Sequence, residues 1–291
     1  MNGGRWERAA GAARARLRAG AADLLDAFVD RRCAGCGGPA ERGEDVCGAC
    51  DAAVDRAGSV LCLHCLRGGV RAAPEPAPSS PPRAGCPLHG AERLLLAGPP
   101  HAAPLDSIVR EFKYAGGSRL APWIASLVPV PPGIDGALGR EGIVVPVPLH
   151  PARRAWRGYD QAESIARRLG TWWGVPVVPA LRRVRETAPQ ARLGGEERRR
   201  NLDGAFRPAD RAERLVAGRV VLLVDDVVTT GATMLEAGEA LAPAGPALIL
   251  ALAAAHGGAP DGAQSPSQPE VATVRGRVLE SQAWQIGREP S

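Results

Sequence analysis

Five aliphatic residues that run into two carboxylates constrain this chain more than any other feature. The segment reads Val220-Val221-Leu222-Leu223-Val224-Asp225-Asp226-Val227-Val228-Thr229-Thr230-Gly231-Ala232-Thr233. An unbroken aliphatic run rich in Val predicts a strand buried on both faces, as in a parallel sheet. Small hydroxyl residues surround Gly231, and Met234 to Leu241 then reads as a helix that ends before Pro243. Strand, polar loop and helix together make the geometry in which open α/β sheets hold ligands at the carboxyl ends of their strands. Thr229, Thr230, Gly231, Ala232 and Thr233 bring hydroxyls and free backbone N–H groups to a helix N-terminus, which suits a phosphate.

The paired acids narrow the ligand. A nucleoside triphosphate loop would need Gly-Lys-Ser/Thr here, and the segment has no Lys. Carboxylates beside a phosphate cradle suit a sugar phosphate, with the acids on ribose hydroxyls and the loop on the 5′-phosphate. The alternative is an acidic turn followed by a threonine-capped helix, since adjacent Asp residues are common in turns. That alternative leaves most positions from Asp225 to Thr233 without a role. The order of these residues resembles the signature of type I phosphoribosyltransferases, which bind phosphoribosyl pyrophosphate (PRPP).

At 291 residues the chain has room for one α/β domain and something smaller. A net charge of +5 permits polyanionic partners without requiring them. The 36 basic residues include a single Lys, Lys113. Asn occurs only at positions 2 and 201, Tyr only at 114 and 159, and Gln before residue 260 only at 161 and 190. In so biased a chain the rare residue types mark positions where a substitute would not serve. No apolar run reaches the roughly 18 residues of a membrane span. Residues 5–29 mix Arg and Asp with Ala and Leu, which fits no signal peptide and reads instead as a solvated helix. The expected compartment is the cytoplasm, where thiols stay reduced.

All seven Cys fall between residues 33 and 86. They form Cys33-x-x-Cys36, Cys47-x-x-Cys50, Cys62-x-x-Cys65 and, with a different partner, Cys86-x-x-His89. Two ligands three apart in a tight turn make one knuckle, and two knuckles complete a tetrahedral Zn²⁺ site. Four knuckles make two sites, or one site and remnants. Spacing leaves open whether the knuckles join in order or cross over. Disulfides fit the regular spacing and the reducing compartment less well. Pro74, Pro76, Pro78, Pro81 and Pro82 then mark an insert with no core of its own.

From Leu94 the pattern turns globular. Leu105, Ile108, Val109 and Phe112 predict a helix closed by Lys113 and Tyr114, and a second helix is expected through Trp123, Ile124 and Leu127. Residues 131–142 read as loop, Ile143 to Val147 as a strand, and Arg153 to Gln161 as the opening of a helix that continues to Leu169. Arg153, Arg154 and Arg157 at a strand's carboxyl end form a natural second anion site, the place for a pyrophosphate. The competing view, surface Arg of a biased genome, is strong for Arg153 and Arg154 and weaker for Arg157 beside Gly158, Tyr159 and Gln161. Val175 to Val178 reads as a short strand. The polar stretch from Thr187 to Leu202 carries Gln190, Arg198 and Asn201 and reads as a mobile loop closing over the pyrophosphoryl end; a charged surface connection is the alternative. The last buried strand is expected over Pro246 to Leu252, and the tail from 257 is expected to be disordered.

Phe112-Lys113-Tyr114, Val145-Pro146-Val147-Pro148-Leu149, Arg157-Gly158-Tyr159-Asp160-Gln161, Glu197 to Asn201 and the Asp225 to Thr233 segment, together with the Cys pairs, resemble the ComF family. The resemblance implies a type I phosphoribosyltransferase fold, a parallel sheet flanked by helices, with a small N-terminal zinc-ribbon-like domain. The chain is expected to divide into an N-terminal helix (1–32), a Cys-pair domain with its Pro-rich insert (33–90), a phosphoribosyltransferase-like domain (91–256) and the tail (257–291), the resemblance covering roughly residues 20–255. The resemblance also implies PRPP and Mg²⁺ as ligands. Asp225 and Asp226 would serve the ribose, Thr229 to Thr233 the 5′-phosphate, and Arg157, joined by Lys113, the pyrophosphate. The transfer would go to an acceptor that no residue declares. Links to DNA uptake in natural transformation follow from the same resemblance, with single-stranded DNA and a helicase-like ATPase as partners and a homo-oligomer left open. The alternative is a non-catalytic single-stranded-DNA-handling factor that senses PRPP. One departure stands out: Asp160 occupies a position where the family usually has Asn.

Overall fold

The computed structural model describes residues 31–62, 94–114, 117–131, 133–186 and 202–257. The N-terminal helix, Cys65, Cys86, His89, the Pro-rich insert, Gln190, Arg198, Asn201 and the tail lie outside these residues. The chain separates into two compact units, one of residues 1–54 and 103–111 and one of residues 55–102 and 112–291.

In the first unit, the Cys33 and Cys47 turns are laced by backbone hydrogen bonds from Cys33 to Gly38 and from Ala34 to Asp45. Helix α1 (Gly48–Ala53) starts directly from Cys47. Arg31 pairs with Asp45 at 3.1 Å across the two turns. Buried Val46, Cys50 and Val54 supply the small core.

The second unit is built on one sheet of five strands. They are β1 (Ser59–Cys62), β2 (Leu94–Ala97), β3 (Gly142–Pro146), β6 (Val220–Val228) and β7 (Leu248–His256), in the spatial order β1-β2-β7-β6-β3. Only the β1–β2 pair is antiparallel; β2, β7, β6 and β3 run parallel. Val220 to Val224 are fully buried, as a central parallel strand requires. The strand does not stop at the acids. It continues through Asp225 and Asp226 to Val228, paired with β7 as far as His256. Pairing with β3 stops sooner, at Pro146 opposite Val224. Beyond that rung β3 and β6 part, and the cleft between their carboxyl ends is where a ligand enters an open α/β sheet.

Helix α2 (Leu105–Tyr114) belongs to the first unit up to Glu111 and to the second from Phe112. The other helices of the second unit are the short α3 (Ala121–Ala125) and α4 (Ala137–Glu141), α5 (Pro151–Arg157), α6 (Gln161–Trp173), α7 (Ala212–Val216) and α8 (Ala232–Leu241). A two-stranded antiparallel sheet of β4 (Leu181–Arg183) and β5 (Phe206–Pro208) packs beside α8. Among the described residues, no helix is long and apolar enough to cross a membrane.

Four local expectations are corrected. Residues 131–142 hold one helical turn, α4, before β3 begins at Gly142. The Val175–Val178 segment is a single bridge, Val177 to Val144, because Pro176 has no N–H to extend the ladder. The Arg153 to Leu169 stretch is two helices. Gly158, in the left-handed region at φ 80°, ends α5, and Asp160 caps α6. The last strand runs on to His256, four residues past its expected end.

Candidate functional site

The cleft between β3 and β6 forms a pocket of about 360 Å³. β6 supplies Asp225, Asp226 and Val227; the turn after it and the start of α8 supply Thr229 and Thr233. The stretch after β3 supplies Val147, Pro148 and Leu149, and α5 and the start of α6 supply Arg153, Arg157, Asp160 and Gln161. Lys113 and Tyr114 arrive from the end of α2, Arg183 from β4 and His101 from the segment after β2. Thr230, Gly231 and Ala232 complete the turn behind Thr229. Gly231 takes φ 74°, a left-handed conformation that lets the strand swing directly into α8. The first N–H groups of α8 have no helical acceptor and carry the positive end of its dipole.

The two acids sit in different surroundings. Asp226 is buried at 7% exposure and its Oδ2 lies 3.0 Å from the Nζ of Lys113, while its Oδ1 accepts from the Val227 N–H at 2.6 Å. Asp225 accepts from the Asp226 N–H at 2.8 Å. Burial, and then the charge of Asp226, push the Asp225 carboxyl up to about 8; the Asp226 N–H and Lys113 offset only part of this. In the free pocket Asp225 therefore resists ionisation beside Asp226.

Asp160 spends both oxygens on backbone. Oδ2 accepts from the Leu149 N–H at 2.8 Å and Oδ1 from the Glu163 N–H at 3.1 Å. Burial raises its pKa and these two donors lower it. The carboxylate thus stitches the turn after β3 to the start of α6, a structural use for an acid at this position.

Arg157 donates to the Gln161 Oε1 at 2.9 Å and its guanidinium lies over the Tyr114 ring, 5.0 Å from the centroid. Gln161 is 2% exposed and its Nε2 has no hydrogen-bond partner. That bond orients the amide with its oxygen on Arg157, which leaves a donor on a pocket-lining side chain. Arg183 is buried over Phe206, 5.2 Å from the ring centroid, and burial followed by the charge of Arg153 lowers its pKa. Four cationic side chains thus face three acids, of which Asp160 is occupied and Asp226 paired. The balance suits a ligand with several negative charges and sugar hydroxyls.

Arg183, Tyr114 and His101 were not legible as site residues. Arg183 is one of many Arg, and only its inward register on β4 separates it from the exposed Arg182. Tyr114 carried a signal in its rarity. His101 carried none.

The four Sγ atoms of Cys33, Cys36, Cys47 and Cys50 lie within 4.8 Å of one another, a cluster that can hold a metal ion. The Cys36–Cys47 separation of 3.8 Å matches the edge of a tetrahedron with metal–sulfur bonds of about 2.3 Å. Knuckles one and two therefore join in sequence order. Cys33 Sγ accepts N–H bonds from Gly35 at 3.3 Å and Cys47 at 3.2 Å. Burial raises the Cys33 thiol, but donors from Cys47, Cys36 and Gly35 outweigh it and bring it to about 6. Burial and the surrounding thiols push Cys50 up to about 12. Among the other predicted ligands only Cys62, at the end of β1, is described.

Comparison with known proteins agrees with this architecture. Residues 155–285 match the phosphoribosyl transferase domain model. The chain is 32% identical over 203 residues to the DNA utilization protein YhgH of Salmonella typhi, covering 65% of this chain and 87% of that protein. It is 33% identical over 158 residues to the DNA utilization protein YhgH of Escherichia coli O157:H7, covering 51% of this chain and 66% of that protein. It is 39% identical over 94 residues to competence protein F of Haemophilus influenzae, covering 32% of this chain and 41% of that protein. The last two matches thus span less than two thirds of those relatives. A mainly parallel sheet flanked by helices, with the matched domain and an N-terminal Cys cluster, defines a protein of type I phosphoribosyltransferase fold. Within that class the chain belongs to the ComF family.

Proposed function

We propose that the β3–β6 pocket binds PRPP with Mg²⁺ and serves transfer of its phosphoribosyl group to an acceptor. The observation that carries this reading is the meeting of Asp225 and Asp226 with Thr229 and Thr233 in one pocket, with Lys113 and Arg157 beside them. In this reading Asp225 and Asp226 accept from the ribose hydroxyls and steady the positive charge that grows on the ring as the C1–oxygen bond lengthens. Thr229 to Thr233 and the α8 N-terminus hold the 5′-phosphate. Arg157, Arg153 and Lys113 face the pyrophosphate, and the loop bearing Gln190, Arg198 and Asn201 covers it. Asp225 and Asp226, with the pyrophosphate oxygens, would hold Mg²⁺, an ion bound through one or two carboxylates and substrate phosphates while it keeps several waters. When bound, it offsets charge on the departing pyrophosphate.

The Cys33, Cys36, Cys47 and Cys50 cluster is assigned to structural Zn²⁺, four thiolates being a closed tetrahedral set for that ion. Cys62, Cys65, Cys86 and His89 are proposed as a second set.

Calorimetric titration with PRPP and Mg²⁺, beside metal analysis, tests both assignments. Saturable binding is expected, lost in the Asp225→Asn, Asp226→Asn double variant while zinc content and folding persist. Unchanged affinity in that variant overturns the ribose site.

A second reading rests on the names of the relatives, which refer to DNA utilization and competence. In it the protein handles single-stranded DNA and uses PRPP as a signal, alongside a helicase-like ATPase. Oligonucleotide binding that weakens steeply with salt, without pyrophosphate exchange on PRPP, would favour it.

A further inference from the structure

No motif marks the residues that stand behind the Thr229 turn, the turn assigned above to the 5′-phosphate. The β6 strand ends at Val228, and Thr229 on the pocket wall begins the swing into α8. The end of β7 lies directly against it. The Gly257 N–H donates to the Val228 carbonyl at 2.7 Å. A Cβ on Gly257 would meet the Thr229 Cα at 3.1 Å, its carbonyl oxygen at 3.4 Å and its Cβ at 3.5 Å. Carbon atoms pack best at about 3.5–4.0 Å, so a side chain here would press on Thr229. The obstacle is backbone, which cannot rotate aside as a side-chain tip can.

His256 fixes the same junction from its other side. Its carbonyl accepts from the His101 N–H at 2.7 Å and its N–H donates to the Pro99 carbonyl at 3.1 Å. His101 and Thr229 both line the pocket, so β7 ends tied to two of its walls. The His256 Nδ1 lies 2.9 Å from the Gly257 carbonyl oxygen. A carbonyl only accepts, so Nδ1 carries the proton and donates. The ring is 8% exposed, and its Nε2 has no hydrogen-bond partner. Burying that nitrogen unsatisfied is unfavourable, and an apolar side chain would fill the space without this cost. What the histidine adds is the bond to Gly257.

We infer that Gly257 and His256 are positioning residues for the phosphate turn. The bare Cα of Gly257 lets β7 abut Thr229, and the His256 ring holds the Gly257 peptide in that place. Neither residue lines the pocket, so both act through Thr229. The inference rests on the phosphoribosyl reading of the same pocket. Hydrogen bonds to a phosphate are short and directional, so a small shift of the Thr229 backbone is felt at the phosphate and not at the pyrophosphate end beside Arg157.

Calorimetry of the full chain with ribose 5-phosphate, and separately with pyrophosphate and Mg²⁺, tests this. Gly257→Ala should weaken ribose 5-phosphate roughly 10- to 100-fold, the worth of one hydrogen bond to a charged group, and leave pyrophosphate as in the parent. His256→Ala should shift ribose 5-phosphate in the same direction. His256→Asn, which keeps a side-chain N–H near the place of Nδ1, should restore most of the affinity. If the parent itself fails to bind ribose 5-phosphate, the sugar-phosphate reading falls, and the positioning role with it. If the parent binds it and Gly257→Ala binds it equally well, the positioning role alone is overturned. Equal losses for both ligands also overturn it, since they mark a loosened fold rather than a displaced turn. Should Gly257→Ala not fold, the His256 pair decides: an Asn variant no better than Ala, or an Ala variant equal to the parent, overturns the role.

Discussion

An acid held near neutrality in the free protein, as Asp225 is, opposes folding whenever it ionises. Its folded pKa of about 8 stands far above the unfolded value of 3.8. The folded state therefore binds more protons in this window, and the contribution of Asp225 to stability falls as pH rises from about 4 to about 8. Below that window the cost is absent; above it the cost is complete. Asp225→Asn should raise the melting temperature at pH 8 and above, change it little near pH 4, and flatten the dependence between. The carboxyl lines an open pocket, so the expected gain is about 1–2 kcal/mol rather than the full value of the shift. At about 2–4 °C per kcal/mol for a domain of this size, scanning calorimetry would resolve it. A parent and variant with parallel pH profiles would mean that the acid is not strained. The same substitution is expected to lose PRPP, so stability and binding should move in opposite directions at this one residue.

At the scale of elements, Asp160 decides how the turn after β3 meets α6. Its two oxygens accept from N–H groups on both segments, Leu149 and Glu163. Asp160→Ala should cost about 1–2 kcal/mol as a lost cap, with the Leu149 N–H left wanting besides. Asp160→Asn should fall between, since an amide offers one acceptor oxygen for two donors. Urea unfolding of both variants checks the order Asp, Asn, Ala, and an Asn variant equal to the parent would refute the double-acceptor role. The two-helix arrangement of α5 and α6 belongs here too. Gly158 and Asp160 act as stop and cap in the structure, whereas the apolar period of Ala162, Ile165 and Leu169 points to one continuous helix.

At the scale of the whole molecule, the sheet holds everything else in place. Leu222, fully buried at the centre of β6 with strands on both sides, should cost about 2–5 kcal/mol as Leu222→Ala. Chemical denaturation would read this as an earlier midpoint with an unchanged slope; a loss under 1 kcal/mol would mean that the site collapses around the missing atoms. The sequence alone determined the central strand, the threonine turn at a helix start and the first two Cys knuckles, because each is a local pattern written in consecutive residues. Periodicity, turn chemistry and ligand spacing act over a few positions, so they can be read without knowing what lies opposite. Only the tertiary structure decided that β3 and β6 part after Val224, that Lys113 reaches Asp226, and that Tyr114, Trp156 and Arg157 form one stack at the pocket mouth. Those pairings join residues far apart in the chain, and their partners are chosen by the packing of helices on a sheet rather than by any neighbour in sequence.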